Sequence, residues 1–475
     1  MRALACVLSL VLSLPAAALP QRPELTPAVR AFVRLDAPVI ALTHAAVIDG
    51  RGLPARSSQT ILIRDGRIVA VAESGSLQVP QDAEVIDLTG HTVLPGFVML
   101  HEHMFYPAGG ASYNEQDYSF PRLYLAGGVT TLRTGGSMAP YTDLNIKRAV
   151  EEGRMPGPRM DVTGPYLNGP GLPILSVKAL RGPQDARRMV AYWAEEGATS
   201  FKVYMHISRA ELAAVIEEAH ARGHKVTGHL CSVTFREAAD LGIDNLEHGF
   251  LASTDFVSGK RPDECPARPD VMASLSQLDA GGSPVRELIS HLVQRGVALT
   301  STLPVFETFV PGRPPAGDGA IDAMAPAARE MYLRRRARIA ADPDTTWTEL
   351  FTKEMRLERA YAEAGGLLVV GTDPTGYGGV VAGYSNARAV ELLVEAGFTA
   401  ERAIAIATLN GARYLEMADE IGSIEAGKRA DLIVIDGDPA TDIADLRKVE
   451  LVFKDGIGYD APALFASVSG TVGLR

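Results

Sequence analysis

The stretch Leu94-Pro-Gly-Phe-Val-Met-Leu-His-Glu-His103 is an apolar run that begins at a Pro-Gly turn and ends in two histidines. Its length and composition predict a buried β-strand. Successive side chains of a strand point to opposite faces, so His101 and His103 lie on the same side. This pair predicts either a metal site or two packed core histidines, and the stretch alone leaves both interpretations open.

Apolar runs of the same kind alternate with amphipathic segments through the middle of the chain. In segment 209–222, Leu212, Val215 and Ile216 recur at helical spacing. Eight strands are predicted, at residues 96–103, 129–134, 159–164, 200–204, 225–230, 245–248, 297–303 and 367–373. Such alternation is typical of α/β proteins, and eight units over residues 96–415 predict a (β/α)8 TIM barrel. An open doubly wound sheet is the alternative, but no Gly-rich phosphate motif follows an early strand.

The two flanks of this region, residues 38–95 and 416–475, have the composition of short strands broken by turns. Asp65-Gly66 separates two β-rich runs and predicts a hairpin, and Asp-Gly pairs recur at 436–437 and 455–456. We predict one small β-sandwich domain formed from both chain ends. The sequence alone does not show that the two flanks meet.

Residues 1–18 have the three parts of a secretory signal peptide: a basic start at Arg2, an apolar run up to Leu14, and small residues up to Ala18. An anchor helix is the alternative, but the apolar run is too short to cross a bilayer, so no stable membrane insertion is expected. The chain is predicted to be exported to the periplasm or the extracellular space, with cleavage near Ala18. After this cleavage Cys231 and Cys265 remain. They could form a disulfide in an oxidising compartment, but two free thiols are the favoured interpretation.

The formal net charge is −11 over 475 residues, and the only basic run is the short stretch 334–336. This balance argues against nucleic acid as a partner. Two connections, 251–286 and 304–348, are too long to be simple links between barrel elements. They follow the sixth and seventh predicted strands, so they are expected to shape the pocket at the active face, and a helix is predicted at 325–340.

Four further polar residues fall on the predicted barrel strands. His229, His248 and Asp373 end the fifth, sixth and eighth strands, and Lys202 lies in the fourth. The carboxyl ends of barrel strands meet at one face, so these side chains are predicted to converge with the first pair of histidines. Imidazole and carboxylate ligands favour Zn²⁺, Mn²⁺ or similar ions over Ca²⁺.

This pattern resembles the amidohydrolase superfamily, and within it the imidazolonepropionase-related branch that contains prolidase-like metal-dependent dipeptidases. Stretch 94–103 resembles the family's strand-one motif, and stretch 422–435 resembles its C-terminal signature. The resemblance implies two divalent metal ions, with Zn as the first candidate and Mn, Co or Fe as alternatives. It also implies a small-molecule or short-peptide substrate and, because relatives often associate, a homo-oligomer.

The resemblance implies a ligand set as well. His101, His103 and Asp373 would hold one ion, and His229 and His248 the other. Lys202, carboxylated by CO2, would bridge both ions, since a protonated amine beside two cations could not ligate them.

The implied activity is hydrolysis of an amide bond, in a dipeptide or an N-acyl amino acid, by a hydroxide that bridges the metals. Asp373 is predicted to be the proton shuttle or, alternatively, only a ligand, and Tyr204 to donate to the developing oxyanion. Arg133, Tyr166 and Asn168 are predicted to bind substrate, although a structural ion pair is the alternative for Arg133. A deaminase or cyclic-amide hydrolase is the second enzyme hypothesis, and a non-catalytic binding protein is the third.

Overall fold

The computed structural model describes residues 22–474, so the predicted signal peptide at 1–18 lies outside the described residues. The strands are β1 Val33–Leu35, β2 Val39–Val47, β3 Arg56–Arg64, β4 Arg67–Glu73, β5 Glu84–Asp87, β6 His91–Pro95, β7 Phe97–Glu102, β8 Phe105–Gly109, β9 Ser112–Glu115, β10 Val129–Thr134, β11 Arg159–Asp161, β12 Ser200–Val203, β13 Lys225–Gly228, β14 Asn245–Glu247, β15 Ala298–Ser301, β16 Leu368–Val370, β17 Leu432–Asp436, β18 Val449–Lys454 and β19 Ile457–Asp460. The helices are α1 Pro27–Arg30, α2 Ser119–Ala126, α3 Pro140–Glu151, α4 Pro183–Glu196, α5 Arg209–Ala221, α6 Phe235–Leu241, α7 Arg268–Gln277, α8 Ser283–Gln294, α9 Leu303–Glu307, α10 Asp318–Ala323, α11 Pro326–Ala340, α12 Thr346–Glu363, α13 Tyr384–Glu395, α14 Ala400–Ala405, α15 Gly411–Tyr414 and α16 Ala461–Ala466. A π-helical turn at Ile406–Asn410 and a 3-10 turn at Ile443–Arg447 complete the fold, which is of the predicted mixed α/β class.

Each of the eight strands predicted in the middle of the chain is present, and they form two parallel sheets. The first has the order β11-β10-β7, and the second has the order β12-β13-β14-β15-β16. Parallel bridges join Thr163 to Ser200 and Leu167 to Val203, so β11 and the chain after it run beside β12. The two sheets are therefore hydrogen-bonded to each other along one edge.

The opposite edges of these two sheets also approach each other. The backbone N–H groups of Thr372 and Asp373, just after β16, donate to the carbonyl oxygen of His101 at 3.2 and 3.0 Å. The buried Glu102 carboxylate accepts from Thr372 N at 3.1 Å and from Asn386 Nδ2 at 3.0 Å. These bonds hold the end of β16 against the end of β7, where both carry predicted ligands.

Helix α5 shows how the helices cover this parallel array. Ser208 and Glu211 form a capping box that begins the helix, since each side chain binds the backbone N–H of the other residue. The predicted apolar face, with Leu212, Val215 and Ile216, is the one that is buried. Burying this stripe against the strands stabilises the helix more than its intrinsic propensity does.

The two flanks meet in one nine-stranded sheet of order β1-β19-β18-β17-β6-β2-β3-β4, with β5 paired to β2. Asp65 (φ 48°) and Gly66 (φ 79°) form the predicted turn between β3 and β4, both in the left-handed region. Along β17 the side chains alternate: Leu432 and Val434 pack in a core shared by the two flanks, whereas Ile433 packs in the main core of the molecule. The C-terminal part of the sheet therefore contributes to two hydrophobic cores.

The prediction that Cys231 and Cys265 are free thiols is wrong, because the structure joins them in a disulfide with Cα atoms 4.9 Å apart. The chain after β14 turns back toward the end of β13, and the Thr254 hydroxyl donates to the Cys231 carbonyl at 3.0 Å. This return brings together two cysteines that are 34 residues apart in sequence.

The two long connections contain helices. Connection 251–286 includes α7 and the start of α8, and connection 304–348 includes most of α9, then α10, α11 and the start of α12. Helix α11, Pro326–Ala340, confirms the helix predicted at 325–340. Within the described part of the chain, no helix combines the length and apolar character needed to cross a membrane.

Candidate metal centre

Three of the predicted ligands form a compact group at the ends of β7 and β16. His101, His103 and Asp373 each offer a ligand atom, and these atoms lie within 4.8 Å of one another. The Asp373 Oδ1 atom is 3.2 Å from His103 Nε2 and 3.8 Å from His101 Nε2. Asp373 has a φ of 52°, a strained conformation for a non-glycine residue that turns its side chain after the strand ends. The Thr375 hydroxyl donates to Asp373 Oδ1 at 2.8 Å and holds this orientation.

Hydrogen bonds at the far side of each ring orient the two histidines. His101 Nδ1 lies 2.6 Å from a carboxylate oxygen of Glu247, and His103 Nδ1 lies 3.1 Å from the carbonyl oxygen of Gly136. Both acceptors favour a proton on Nδ1, which leaves each Nε2 lone pair directed toward Asp373. A carboxylate or carbonyl behind the ring is the usual partner of a histidine that binds a metal.

The other predicted ligands lie in the same pocket. Lys202 Nζ is 3.4 Å from His101 Nε2. The rings of His229 and His248 are 4.3 Å apart, and the His248 ring is 4.6 Å from that of His101. The fold thus brings all six residues to one cavity, while their action as metal ligands stays a prediction.

The electrostatics of the pocket suit a cation. Burial, and then repulsion from Lys202, lowers the pKa of His101 to about 4 and that of His229 to about 3. Burial and the neighbouring His229 hold the pKa of His248 well below its ordinary value. Burial opposes ionisation of Asp373, but attraction to His101 and the adjacent His103 ring keep its pKa well below the usual range. Neutral imidazoles beside an ionised carboxylate are the protonation states that a divalent ion needs, so the residues present fit a metal.

Lys202 is almost completely buried, with 1% of its surface exposed. Burial lowers its pKa to about 8, even though Glu247 and Asp373 attract the charged form. A larger fraction of its amine is therefore neutral near physiological pH than is usual for a lysine.

Two predicted phenols lie on the pocket wall. The Tyr204 ring is 4.8 Å from the His229 ring, and the Tyr166 ring is 4.9 Å from that of Tyr204. Burial, followed by the neighbouring phenols and the Asp373 carboxylate, raises the pKa of both hydroxyls. Both phenols therefore keep their protons and can donate to an oxygen atom in the cavity.

Arg133 does not reach the cavity, contrary to its predicted contact with substrate. Its side chain is fully buried, and Nη2 donates to Asn245 Oδ1 at 3.1 Å and to Glu247 Oε1 at 2.6 Å. Glu247 is buried inside the parallel array, where an unpaired carboxylate would be costly. The Arg133 guanidinium compensates this negative charge. Arg133 thus supports the carboxylate that orients His101.

Asn168 also lies away from the cavity wall. Its side chain is 1% exposed, accepts from the backbone N–H of His206 at 2.8 Å and donates to the Gly169 carbonyl at 2.9 Å. Both halves of the amide are thus used in tethering two loops. The predicted role in substrate binding does not fit this position.

Glu247 is the residue that the sequence-based analysis missed. It is 0% exposed and accepts from Arg133 and from the Thr227 hydroxyl. The signal was an acidic residue inside a buried strand, one position before a predicted ligand. The His248 backbone, with a φ of 70°, breaks the strand alternation, so neighbouring residues both serve the site.

The cavity above these polar groups has a volume of about 210 Å³. Its upper wall is apolar and aromatic, with Phe105, Met138, Ile174, Phe306 and Phe309 among the lining side chains. Leu251 and Val305 also line the cavity. Each belongs to one of the two long connections, which were predicted to shape the pocket at the active face.

Comparisons with known proteins agree with the motifs. A sequence profile described as the amidohydrolase family matches residues 325–457. A candidate prolidase from Bifidobacterium longum is similar in structure, with 25% identity, a TM-score of 0.66, and coverage of 90% of this chain and 98% of that chain. A Xaa-Pro dipeptidase with methionine in its active site has a TM-score of 0.65 and 21% identity, covering 89% of this chain and 100% of that chain.

A curated dihydroorotase from Anaeromyxobacter dehalogenans is 34% identical over 121 residues. This alignment covers 24% of this chain and 27% of that relative's length, so it concerns only a part of each protein. The family profile over residues 325–457 and the structural neighbour at 25% identity are consistent with the amidohydrolase superfamily that the motifs predict.

Proposed function

We propose that this chain is a metal-dependent hydrolase that cleaves an amide C–N bond. The observation that carries the proposal is the buried group of His101, His103 and Asp373, with oriented rings and Lys202 at the same cavity. Metal ions bound there would polarise the scissile carbonyl and lower the pKa of the attacking water. Two ions are proposed, with Zn as the first candidate and His229 and His248 as ligands of the second.

Lys202 is proposed to be carboxylated by CO2. Only the neutral amine attacks CO2, and burial that lowers the Lys202 pKa to about 8 favours that form. The product carries an anionic carbamate, which adds two ligand oxygens next to His101 and removes a positive charge from the pocket. This chemistry supports a two-ion site over a one-ion site.

Two side chains of the pocket, Asp373 and Tyr204, are proposed to transfer the proton and to stabilise the developing negative charge. Asp373 accepts a proton from the attacking water and passes it to the nitrogen of the leaving amine, while the oxygen of the water bonds to the acyl carbon. Tyr204, which keeps its proton, donates to the oxygen on which negative charge develops. The net reaction consumes one water and yields an acid and an amine.

The architecture and location that go with this function are proposals too. The bonds between β11 and β12 and between β7 and the end of β16 support closure of the eight parallel strands into a single barrel. The sheet built from both flanks supports a small β-sandwich domain. Export is proposed from residues 1–18, and a disulfide at Cys231–Cys265 suits an oxidising compartment. A homo-oligomer remains a prediction.

Metal analysis and a mutational comparison test the function. Purified protein is expected to hold close to two ions per chain and to hydrolyse members of an amide library. Asp373→Asn is expected to lower kcat by about 100- to 10,000-fold in metal-replete protein, because the proton transfer is lost. The exposed Asp436→Asn is the matched control and should retain full activity.

The outcomes separate the alternatives. Asp373→Asn protein that loses metal but regains full turnover when metal is restored would reduce Asp373 to a ligand. A single ion and an unmodified Lys202, with ammonia released from a heterocycle and no amide cleaved, would replace the proposal with the deaminase hypothesis. A loaded protein without any hydrolytic turnover would favour a binding protein.

A further inference from the structure

The charged groups of the cavity are confined to its floor. Among the described residues that line it, Lys202 is the only lysine, Asp373 is the only carboxylate, and no arginine is present. Both charged residues belong to the proposed metal centre. The wall that would receive the two ends of a substrate is therefore uncharged.

Aromatic side chains build one side of this wall in two layers. Phe306 and Phe309 face the cavity, and the Trp347 ring lies behind them at 6.1 and 4.9 Å between centroids. The Tyr377 ring packs on Phe309 at 4.8 Å. Phe105, another aromatic residue of the cavity wall, stacks on His103 with the ring centroids 4.4 Å apart.

Two arginines approach this wall from outside. The Arg268 guanidinium lies 6.0 Å from the Trp347 ring, and that of Arg335 lies 4.6 Å from the Tyr377 ring. In both cases the contacted ring belongs to the outer layer, so the inner phenylalanines separate the cation from the cavity. Neither guanidinium lines the space where a substrate lies.

A free dipeptide or an N-acyl amino acid carries a carboxylate on the carbon next to the scissile nitrogen. With the carbonyl held at the metal centre, that carboxylate meets the wall, and the ammonium of a dipeptide meets it on the other side. Burying either charge without a partner is costly, whereas an uncharged ring or chain gains contact with the phenylalanines. The phenols of Tyr166 and Tyr204 are donors that serve a neutral carbonyl equally well.

We propose, on the basis of the proposed amide hydrolysis, that the substrate is an uncharged amide with an apolar, aromatic or branched amine portion and no free carboxylate. The cavity of about 210 Å³ suits one ring beside the amide group, since a dry cavity of about 150 Å³ holds a benzene molecule. This substrate class differs from the free dipeptides and N-acyl amino acids that the sequence predicts, since those carry a carboxylate.

A pair of planar substrates of nearly equal shape tests the charge preference. Metal-loaded enzyme is given 4-nitroacetanilide, which is neutral, and 4-acetamidobenzoate, which carries a carboxylate at the same position. The expected kcat/KM is about 100-fold higher for the neutral amide, because the carboxylate loses its hydration without gaining a cation. A free dipeptide, alanylphenylalanine, is expected to be cleaved no faster than the benzoate.

Binding is measured separately by calorimetry with the reduced analogues N-ethyl-4-nitroaniline and 4-(ethylamino)benzoate, which lack the scissile carbonyl. The neutral analogue is expected to bind at least about tenfold more tightly. Equal or tighter binding of the benzoate, or no binding of the neutral analogue, overturns the inference. If neither amide is hydrolysed but the neutral analogue binds more tightly, the proposed amide hydrolysis fails, whereas the preference of the cavity for an uncharged ligand is supported. Faster cleavage of 4-acetamidobenzoate would support the proposed amide hydrolysis and overturn the inference that the substrate is uncharged.

Two variants connect the preference to the wall. Phe309→Arg places a guanidinium on the half-buried inner layer and is expected to narrow the preference for the neutral analogue by about tenfold. Phe309→Met keeps the wall apolar and is the matched control, with the preference retained. An unchanged preference in Phe309→Arg would show that this wall does not select substrates by charge.

Discussion

Replacing Arg133 by methionine tests whether a buried ion pair supports the candidate metal centre. Arg133 and Glu247 are both 0% exposed, and their charged atoms are 2.6 Å apart. Methionine fills much of the same volume but leaves the Glu247 carboxylate buried without its guanidinium. Removing one partner of such a pair costs about 3–5 kcal/mol in the free energy of unfolding, because the charge left behind is not compensated.

Urea unfolding followed by tryptophan fluorescence measures this cost, in the presence of a chelator so that metal binding does not contribute. Arg34→Met is the matched control. Arg34 pairs with Glu450 at the surface, with 51% and 35% of the two side chains exposed, and such exposed pairs contribute about 0–1 kcal/mol.

The double variant with Glu247→Gln gives the sharper result. Without the Glu247 carboxylate, removal of the Arg133 guanidinium no longer leaves a buried charge without a partner. The loss in free energy of unfolding is therefore expected to be smaller in the double variant than the sum of the two single losses, by at least about 2 kcal/mol. Glu247→Gln alone should also lower metal affinity by about 10- to 100-fold, because His101 loses its orienting partner. A cost below about 1 kcal/mol for Arg133→Met, or additive single changes, would refute this account.

Three further predictions concern other parts of the molecule. Labelled bicarbonate should give a carbon-13 carbamate signal that grows from about pH 6 to about pH 8, as the neutral amine of Lys202 becomes more abundant, and Lys202→Arg should abolish it. Burial raises the pKa of Glu358 to about 8 in the folded state. Between the ordinary pKa of a glutamate and this raised value, the folded state therefore holds a proton that the unfolded state has released. The free energy of unfolding should therefore fall as pH rises from about 5 to 8, and the fall should be smaller in Glu358→Gln, measured by urea titration at each pH. A steeper fall in the variant would contradict this assignment. Mass spectrometry without reductant should find Cys231 linked to Cys265, and Cys265→Ser should lower the free energy of unfolding by about 3–4 kcal/mol, given the 34-residue separation; two free thiols in the exported protein would contradict the pairing.

Much of the fold and of the candidate site follows from local regularities of the sequence. Alternation along a strand places His101 and His103 on one side, and parallel strands bring His229 and Asp373 to the same end. The Asp65-Gly66 hairpin needs only the left-handed backbone that these two residues adopt readily. Each of these predictions depends on residues that are close in sequence.

The predictions that were wrong depend on distant partners. Arg133 pairs with Glu247, which lies 114 residues further along the chain, and no local pattern indicates that pairing. Cys231 meets Cys265 only because the connection after β14 turns back on the fold. The sequence also leaves open which side chains of the long connections line the pocket, because Phe309 faces it only through the packing of these connections.

The nine-stranded sheet has a consequence for how the protein is made. Strand β6 pairs with β17, so Thr92 faces Ile435 across the ladder and the two strands belong to opposite ends of the polypeptide. A growing chain emerges from the ribosome amino end first, so β2 to β6 exist for most of synthesis without this partner. Their apolar edge is exposed during that interval, which is a hazard for association between nascent chains. If the whole chain crosses a membrane before it folds, β6 and β17 become available at the same time and the unpaired edge does not form. A chaperone that keeps the chain unfolded until synthesis is complete would protect this edge in the same way.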